Sequence, residues 1–263
     1  MRVKVTFKAD KLPILYRHRF MSLIKESLSI SDAVYKESLY PVRNSEKSKI
    51  PKPFCFSVSM PSGRTTKKEK IIIDEGVEIE DTVFHFPQNS SLSFYISSYD
   101  YEFMVCLYNG LLEIKDFDFG NGITLKLERV FMLNEGKIKM DEVIFRTNSP
   151  ILIEDKEGHP ILPSASKIEH FNEHINAIHN RILKDIRGEG LKREMEFEPL
   201  KIRKQVVKHT LKGFREKTGK PYMTLTCFEG CFRLKGDPRD LQMLYQIGIG
   251  LRTGQGFGMV EVV

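Results

Sequence analysis

The chain has 263 residues, 41% of them apolar, which is enough for one large domain or two ordinary ones, and we expect two. Its 41 Lys and Arg outnumber its 35 Asp and Glu, and the formal charge of +6 favours a polyanionic partner such as nucleic acid. Four cysteines are too few for a secreted disulfide scaffold, and no apolar run reaches the roughly 18 residues of a membrane-spanning helix. We therefore expect a soluble, cytoplasmic protein.

The first half of the sequence predicts the element order βαββαβ. RVKVTF alternates as a half-buried strand does, and the apolar residues from Phe20 to Leu28 then recur at helical spacing. Ser31 is placed to cap a second, short helix that ends before Pro41. The remaining predicted elements are strands over PFCFSVSM, TVFHF and LSFYIS, a helix that carries Phe103 to Leu111, and a strand over ITLKLERVFML.

The second half repeats this order. The predicted elements are short strands over EVIFRT and PILIE, a helix across 165–185, long strands at 200–211 and 221–234, a helix at about 237–246 and a last strand over GMVEV. Two tandem ferredoxin-like βαββαβ units account for the length without a long linker. We expect an α+β fold with domains at residues 1–132 and 133–263.

The segment GIGLRTGQGFGMV, residues 248–260, concentrates five glycines in eleven residues. Glycine at this density indicates positive φ angles or a close approach to the main chain, and phosphate is one candidate for the approaching group. A Walker loop would need Lys and Ser or Thr after its last glycine, and a dinucleotide fingerprint would open a βαβ unit. Because the segment does neither, we expect no nucleotide cofactor.

The pattern Gly-apolar-Gly, five residues, Gly-apolar-Gly between a helix and a last strand resembles the signature of the Cas six family, the CRISPR-associated repeat-RNA endoribonucleases of the repeat-associated mysterious protein superfamily. Further landmarks are Pro13 to Tyr16 before a helix, PKPFCFS at 51–57 and TNSPILI at 147–153, so the resemblance covers nearly the whole chain. It implies tandem ferredoxin-like domains and CRISPR repeat RNA, precursor and mature, as the partner bound between them. It also implies metal-independent cleavage within repeats and transfer of the product to an interference complex. We expect no cofactor, and a monomer or homodimer.

Metal-free cleavage needs a base for the 2′-hydroxyl proton, an acid for the departing 5′-oxygen and a cation for the phosphorane, and it leaves 2′,3′-cyclic phosphate and 5′-hydroxyl ends. By resemblance, Lys52 in PKPF falls at the family's lysine position. The family often has Leu-His where this chain has Leu39-Tyr40, and a helical tyrosine where it has Lys25. Our hypothesis is that Lys52 stabilises the phosphorane while Tyr40 or Lys25 transfers protons. His18, at the start of the same helix, is an alternative proton donor.

Basic residues concentrate at 200–220, which hold eight Lys or Arg and one acidic residue. On one exposed sheet surface they would follow an RNA backbone, with an affinity that falls as salt rises. Backbone N–H groups of the glycine-rich segment offer further phosphate contacts. The candidate RNA-binding residues are Lys47, Lys49, Lys201, Arg203, Lys204 and Arg252, with Gly248, Gly250, Gly254, Gly256 and Gly258.

Two groups of potential metal ligands lack the right spacing. His170 and His174 in HFNEH lie one helical turn apart, with His179 beyond, but the glutamate is not where a zinc protease requires it. Cys227 and Cys231 flank FEG, which we expect to be a turn, and no second pair completes a tetrahedral site. We expect no metal.

Two other classes of function remain open at this point. A binding protein would hold repeat RNA in a CRISPR effector complex with weak or absent catalysis, because the usual histidine is missing. A phosphate-binding metabolic enzyme would need a small-molecule motif, which the sequence does not show.

Overall fold

The computed structural model describes residues 1–41 and 50–263, so the predicted RNA contacts Lys47 and Lys49 lie outside the described residues. The helices are α1 (Arg17–Ser31), α2 (Ala33–Leu39), α3 (Tyr101–Glu113), α4 (Ile168–Arg187), α5 (Lys212–Thr218) and α6 (Pro238–Ile247). The strands are β1 (Arg2–Lys8), β2 (Lys11–Pro13), β3 (Phe54–Ser59), β4 (Thr65–Asp74), β5 (Val77–His85), β6 (Ser91–Ser98), β7 (Asp116–Gly120), β8 (Ile123–Leu133), β9 (Glu142–Thr147), β10 (Glu196–His209), β11 (Met223–Lys235) and β12 (Val260–Val262). None of the helices in this part of the chain is both long and apolar enough to cross a membrane.

The first sheet is antiparallel, with strand order β3-β6-β1-β8-β7. Its first four strands, with α1 after β1 and α3 after β6, have the ferredoxin-like arrangement, and β7 extends one edge. Buried apolar side chains from both helices and the sheet, among them Phe20, Phe94 and Phe103, form a single core. The two helices pack closely at Gly110, where a Cβ would lie 1.9 Å from the carbonyl oxygen of Ser27.

The second sheet has the order β10-β11-β9-β12 and carries α4 and α6. In chain order this is again strand, helix, two strands, helix and strand, and a second core forms from buried residues such as Phe171, Phe228 and Leu244. The predicted α+β fold of two ferredoxin-like units is confirmed. The boundary at residue 132 stays a prediction.

Several elements of the first half differ from the sequence-based expectation. Asp32, not Ser31, caps α2, because its carboxylate accepts a hydrogen bond from the amide of Tyr35 at 2.9 Å. A third sheet, β2-β5-β4, was not predicted except for the end of β5. The β4–β5 hairpin buries only Ile71, Asp81 and Val83 and is rich in charge, so it lacks the alternation of a half-buried strand.

The second half also corrects three expectations. PILIE forms no strand and contributes only single bridges, Ile151 to Phe228 and Glu154 to Pro160. The long strands are joined by α5, which was not predicted. FEG is not a turn: Cys227 and Cys231 both lie inside β11. The glycine of FEG, Gly230, is needed because a Cβ there would lie 1.8 Å from the carbonyl oxygen of Lys201, beside the bulge in β10.

Candidate active site

Three of the four predicted catalytic residues meet in one cluster. Lys25 comes from α1, Tyr40 ends α2, and Lys52 immediately precedes β3. The ammonium nitrogen of Lys25 lies 4.8 Å from the centre of the Tyr40 ring, and that of Lys52 lies 5.0 Å from the same centre. Lys52 Nζ also donates a hydrogen bond to the carbonyl oxygen of Leu39 at 2.6 Å. The phenol ring therefore contacts both cations, an arrangement that a π-system stabilises.

The cluster perturbs the ionisation of its members. Burial and, secondly, the positive charge of Lys25 lower the pKa of Lys52. Burial raises the pKa of the Tyr40 hydroxyl, so the phenol is protonated at neutral pH. The Tyr40 oxygen is buried and has no hydrogen-bond partner among the residues that the structure describes. A buried hydroxyl without a partner is costly, so the Tyr40 oxygen is an unsatisfied polar atom within this cluster.

The glycine-rich segment packs against this cluster. A Cβ on Gly254 would lie 3.0 Å from Lys52 Cβ and 3.1 Å from Lys52 Cγ, and a Cβ on Gly256 would lie 2.7 Å from Phe56 of β3. Gly256 also has a φ of +89°, which favours glycine. The segment thus lies directly on the aliphatic part of Lys52 and on the strand that follows it.

Most backbone amides of the segment bind within the protein. Those of residues 248–251, 255, 256, 258 and 259 donate to protein acceptors, and one of these acceptors is the Nε2 atom of buried His179, 2.9 Å from the Gly250 nitrogen. The hydrogen bonds described within residues 1–41 and 50–263 do not include the amides of residues 252–254 and 257. The glycines therefore serve positive φ angles and close packing of protein atoms, and their predicted contact with RNA stays a prediction.

The second half of the chain matches a known protein family. Residues 133–262 match the family model described as CRISPR associated protein Cas6, C-terminal. They belong to the Cas6 family. The resemblance found in the sequence, including the glycine-rich segment, is thereby confirmed, and the candidate cluster lies in the half that precedes the matched residues.

The similarity extends over the whole chain. The chain is 27% identical to the CRISPR-associated endoribonuclease Cas6 1 of Methanocaldococcus jannaschii, covering 99% of this chain and 92% of that protein. The solved structure of a Cas6-related gene product from Pyrococcus furiosus has a TM-score of 0.72 at 19% identity, covering 100% of this chain and 99% of that one. A RAMP protein that binds different RNA substrates has a TM-score of 0.69 at 20% identity and the same coverage. The two solved structures share the fold of this chain over both halves.

His18, the fourth catalytic candidate, has a different environment. Burial and the nearby charges of Arg19 and Arg215 lower its pKa to about 4, and Asp74 acts in the opposite direction. The imidazole is therefore neutral at pH 7, and its Nδ1 atom is buried without a partner among the described residues. The role of His18 as an alternative proton donor stays a prediction, and the contacts described for it do not include Tyr40.

The basic stretch at 200–220 does not form one sheet surface. Successive residues of a strand face opposite sides, so Lys201 and Arg203 share one face of β10 while Lys204 lies on the other. Arg203 pairs with Glu229 across the strands at 2.5 Å. The rest of the stretch turns into α5, and two of its cations are held by the β4–β5 hairpin, Lys208 by Asp81 and Arg215 by Asp74. RNA contact by the three predicted residues of β10 stays a prediction.

The potential metal ligands separate in space. His170 and His174 lie together with Glu173 on the exposed side of α4, their candidate ligand atoms within 4.8 Å of one another. His179 is buried elsewhere, donating from Nδ1 to the carbonyl of Ile175 while Nε2 accepts from Gly250. The two hydrogen bonds define its neutral tautomer, and its role in this Cas6 fold is to support the glycine-rich segment.

Sequence reasoning passed over Arg17, which lies beside the same segment. The sequence feature that indicates a special role for Arg17 is the run of basic residues from Arg17 to Arg19 at the start of a helix. The helix dipole disfavours cations at this end.

Proposed function

We propose that this chain cleaves CRISPR precursor RNA within its repeats, without a metal, by attack of a 2′-hydroxyl on the adjacent phosphorus. The products carry 2′,3′-cyclic phosphate and 5′-hydroxyl ends. The observation that carries the proposal is the cluster of two ammonium groups around the ring of Tyr40, next to the glycine-rich segment. It joins charge stabilisation and a proton donor in one place, and the Cas6 relatives give the substrate class.

The chemistry assigns a role to each member of the cluster. Lys52, held by its bond to the Leu39 carbonyl, is the ammonium that neutralises the phosphorane in this proposal. The protonated Tyr40 hydroxyl donates its proton to the departing 5′-oxygen. Lys25, the third member, is the base that accepts the proton of the 2′-hydroxyl. Proton uptake and release balance within the cluster.

The binding partners follow from the same proposal. CRISPR repeat RNA is the substrate, and the mature product remains bound for transfer to other subunits of an interference complex, in the cytoplasm. Arg252 and the exposed cations Lys201, Arg203 and Lys204 contribute to its electrostatic attraction. The chain acts as a monomer or homodimer.

The test is incubation of the protein with repeat RNA from its own genome in excess EDTA, followed by analysis of the product ends. We expect a single cut with a cyclic phosphate, and no cut in RNA with a 2′-deoxy nucleotide at the cleavage position. Lys52→Ala should lower kcat by roughly 100-fold or more while RNA affinity is retained. Lys126→Ala, an exposed lysine on β8 of the same sheet, is the matched control. Tight binding without any cut would contradict the enzymatic proposal and leave an RNA-binding protein.

A further inference from the structure

The first turn of α1 carries an excess of positive charge. Arg17, His18 and Arg19 begin the helix, no acidic residue lies in its first turn, and no side chain caps it. Cations are unfavourable at this end because the helix dipole is positive there. The guanidinium of Arg19 has acceptors within the protein, since it donates to the carbonyl oxygens of Phe119 and Asp118.

The guanidinium of Arg17 has fewer acceptors among the described residues. It is only 8% exposed, and its guanidinium carbon lies 4.8 Å from the ring centre of Tyr16 and 5.0 Å from that of Phe257. Nε donates to the carbonyl oxygen of Gly256 at 3.2 Å. Within residues 1–41 and 50–263, no carboxylate pairs with it and neither Nη atom has an acceptor, although neither is sealed from solvent. A buried charge is normally paired, so the fold holds this guanidinium ready for an anion from outside.

The surroundings of Arg17 are built to hold it. A Cβ on Gly256 would lie 3.3 Å from Arg17 Cγ, so the glycine makes room for the side chain. His209 is buried, packs edge-on to the Phe257 ring at 5.6 Å and forms a hydrogen bond with Gln255 at 3.1 Å. Burial and the charge of Arg17 lower the pKa of His209 to about 3, so the imidazole adds no charge at neutral pH.

We propose that the guanidinium of Arg17 binds a phosphodiester group of the RNA substrate, at a subsite separate from the Lys25–Tyr40–Lys52 cluster. Two planar N–H donors suit the non-bridging oxygens of a phosphate. Arg17 contacts Gly256 and Lys52 contacts Gly254, which are two residues apart and hence within about 7 Å along the chain. The stems of the two side chains therefore contact neighbouring positions of one segment, and we assign to Arg17 a phosphate near the scissile one. This inference rests on the proposed RNA substrate.

The experiment measures binding of repeat RNA made non-cleavable by a 2′-deoxy nucleotide, as a function of salt. Arg17→Ala should raise Kd about 10-fold and reduce the slope of log K against log salt by about 0.7. Arg17→Lys should restore most of the slope but less of the affinity, because an ammonium lacks the paired donors. Arg19→Ala is the matched control: it removes the same charge from the same helical turn, but its donors are occupied, so the slope should change less.

The outcomes separate the two proposals. On cleavable RNA, Arg17→Ala should raise KM and leave kcat nearly unchanged at saturation, whereas Lys52→Ala lowers kcat. An Arg17→Ala protein whose circular dichroism matches the wild type but whose Kd and salt slope are unchanged overturns the subsite alone. If Arg17→Ala does not fold, Arg17→Lys decides, because a wild-type affinity in that variant overturns the paired-donor geometry. A wild-type protein that binds RNA without cutting it overturns the proposed cleavage and not the subsite.

Discussion

Replacement of Gly254 by alanine tests whether the glycine-rich segment positions Lys52. The added methyl would lie 3.0 Å from Lys52 Cβ, 3.1 Å from Lys52 Cγ and 3.4 Å from the Phe54 ring. Carbon atoms in ordinary contact are about 3.5–4.0 Å apart, so the lysine stem must move by about 0.5 Å. Gly254 does not have a positive φ, so backbone strain does not confuse the result.

The expected effect is on the chemical step. A displacement of 1 Å at a reacting group costs about 100-fold in rate, so half that distance predicts a loss of about 10-fold in kcat. KM should stay within about 2-fold of the wild-type value, because the stem of Lys52 moves while its charge remains. Overpacking of this kind also destabilises a fold by roughly 1–3 kcal/mol, which thermal unfolding will show separately.

Single-turnover cleavage of repeat RNA in EDTA is the appropriate assay, since it isolates the chemical step from product release. Gly136→Ala is the control, because its Cβ would meet no atom within 4 Å and its φ is ordinary. The double variant Gly254→Ala, Lys52→Ala should cleave no more slowly than Lys52→Ala alone if the glycine acts through the lysine. A wild-type kcat in Gly254→Ala, or a raised KM with unchanged kcat, would refute positioning and favour a role in binding.

Three further predictions follow from the ionisable groups. Tyr40→Phe removes only a hydroxyl that has no partner in the described part of the chain, so RNA affinity and circular dichroism should be unchanged while kcat falls about 100-fold; an unchanged kcat would exclude the phenol from proton transfer. Lys25→Met removes the proposed base, so kcat should fall, and it also removes a charge that lowers the pKa of Lys52, so the alkaline limb of the residual activity should move to higher pH; an unchanged kcat or a limb that stays in place would contradict the assignment. Burial lowers the pKa of His179 from 6.5 to about 4. Between these pH values the unfolded chain binds a proton at this residue and the folded chain does not, so stability present above pH 6.5 is lost as the pH falls towards 4. The loss from this residue is of the order of 3 kcal/mol. Between pH 7 and pH 4.5 the free energy of unfolding in urea should decrease less in His179→Gln than in the wild type; equal decreases would be inconsistent with the buried neutral imidazole.

The elements that the sequence predicted well are those with one buried face. The strand from Arg2, the helix containing Phe20 and the helix before the glycine-rich segment each pack one side against a core, so burial leaves a period in the sequence. PILIE is apolar and its residues 151–153 are buried, yet it forms no β-strand and only isolated bridges. Burial alone does not distinguish a strand from an extended loop.

The sequence predicted the individual residues of the candidate site but not the contacts between them. Lys25, Tyr40 and Lys52 were found through their positions relative to family landmarks, but their contact depends on the packing of α1, α2 and the start of β3. The same packing placed His18 among arginines and made its imidazole neutral, which no local pattern shows. Arg17 was missed because its burial, and its lack of a counter-ion among the described residues, exist only in the folded chain.

The sequence by itself determined the α+β class, the two βαββαβ units and the family, because these depend on periodicity and on glycine spacing, which are properties of the chain near each residue. The tertiary structure decided what the glycine-rich segment does. Its glycines approach Lys52, Phe56 and Arg17, residues about 200 or more positions away, and most of its amides bind inside the protein. Close approach between distant segments is set by how the two sheets and their helices pack, and a one-dimensional pattern carries only the requirement for small residues, not the identity of what they face.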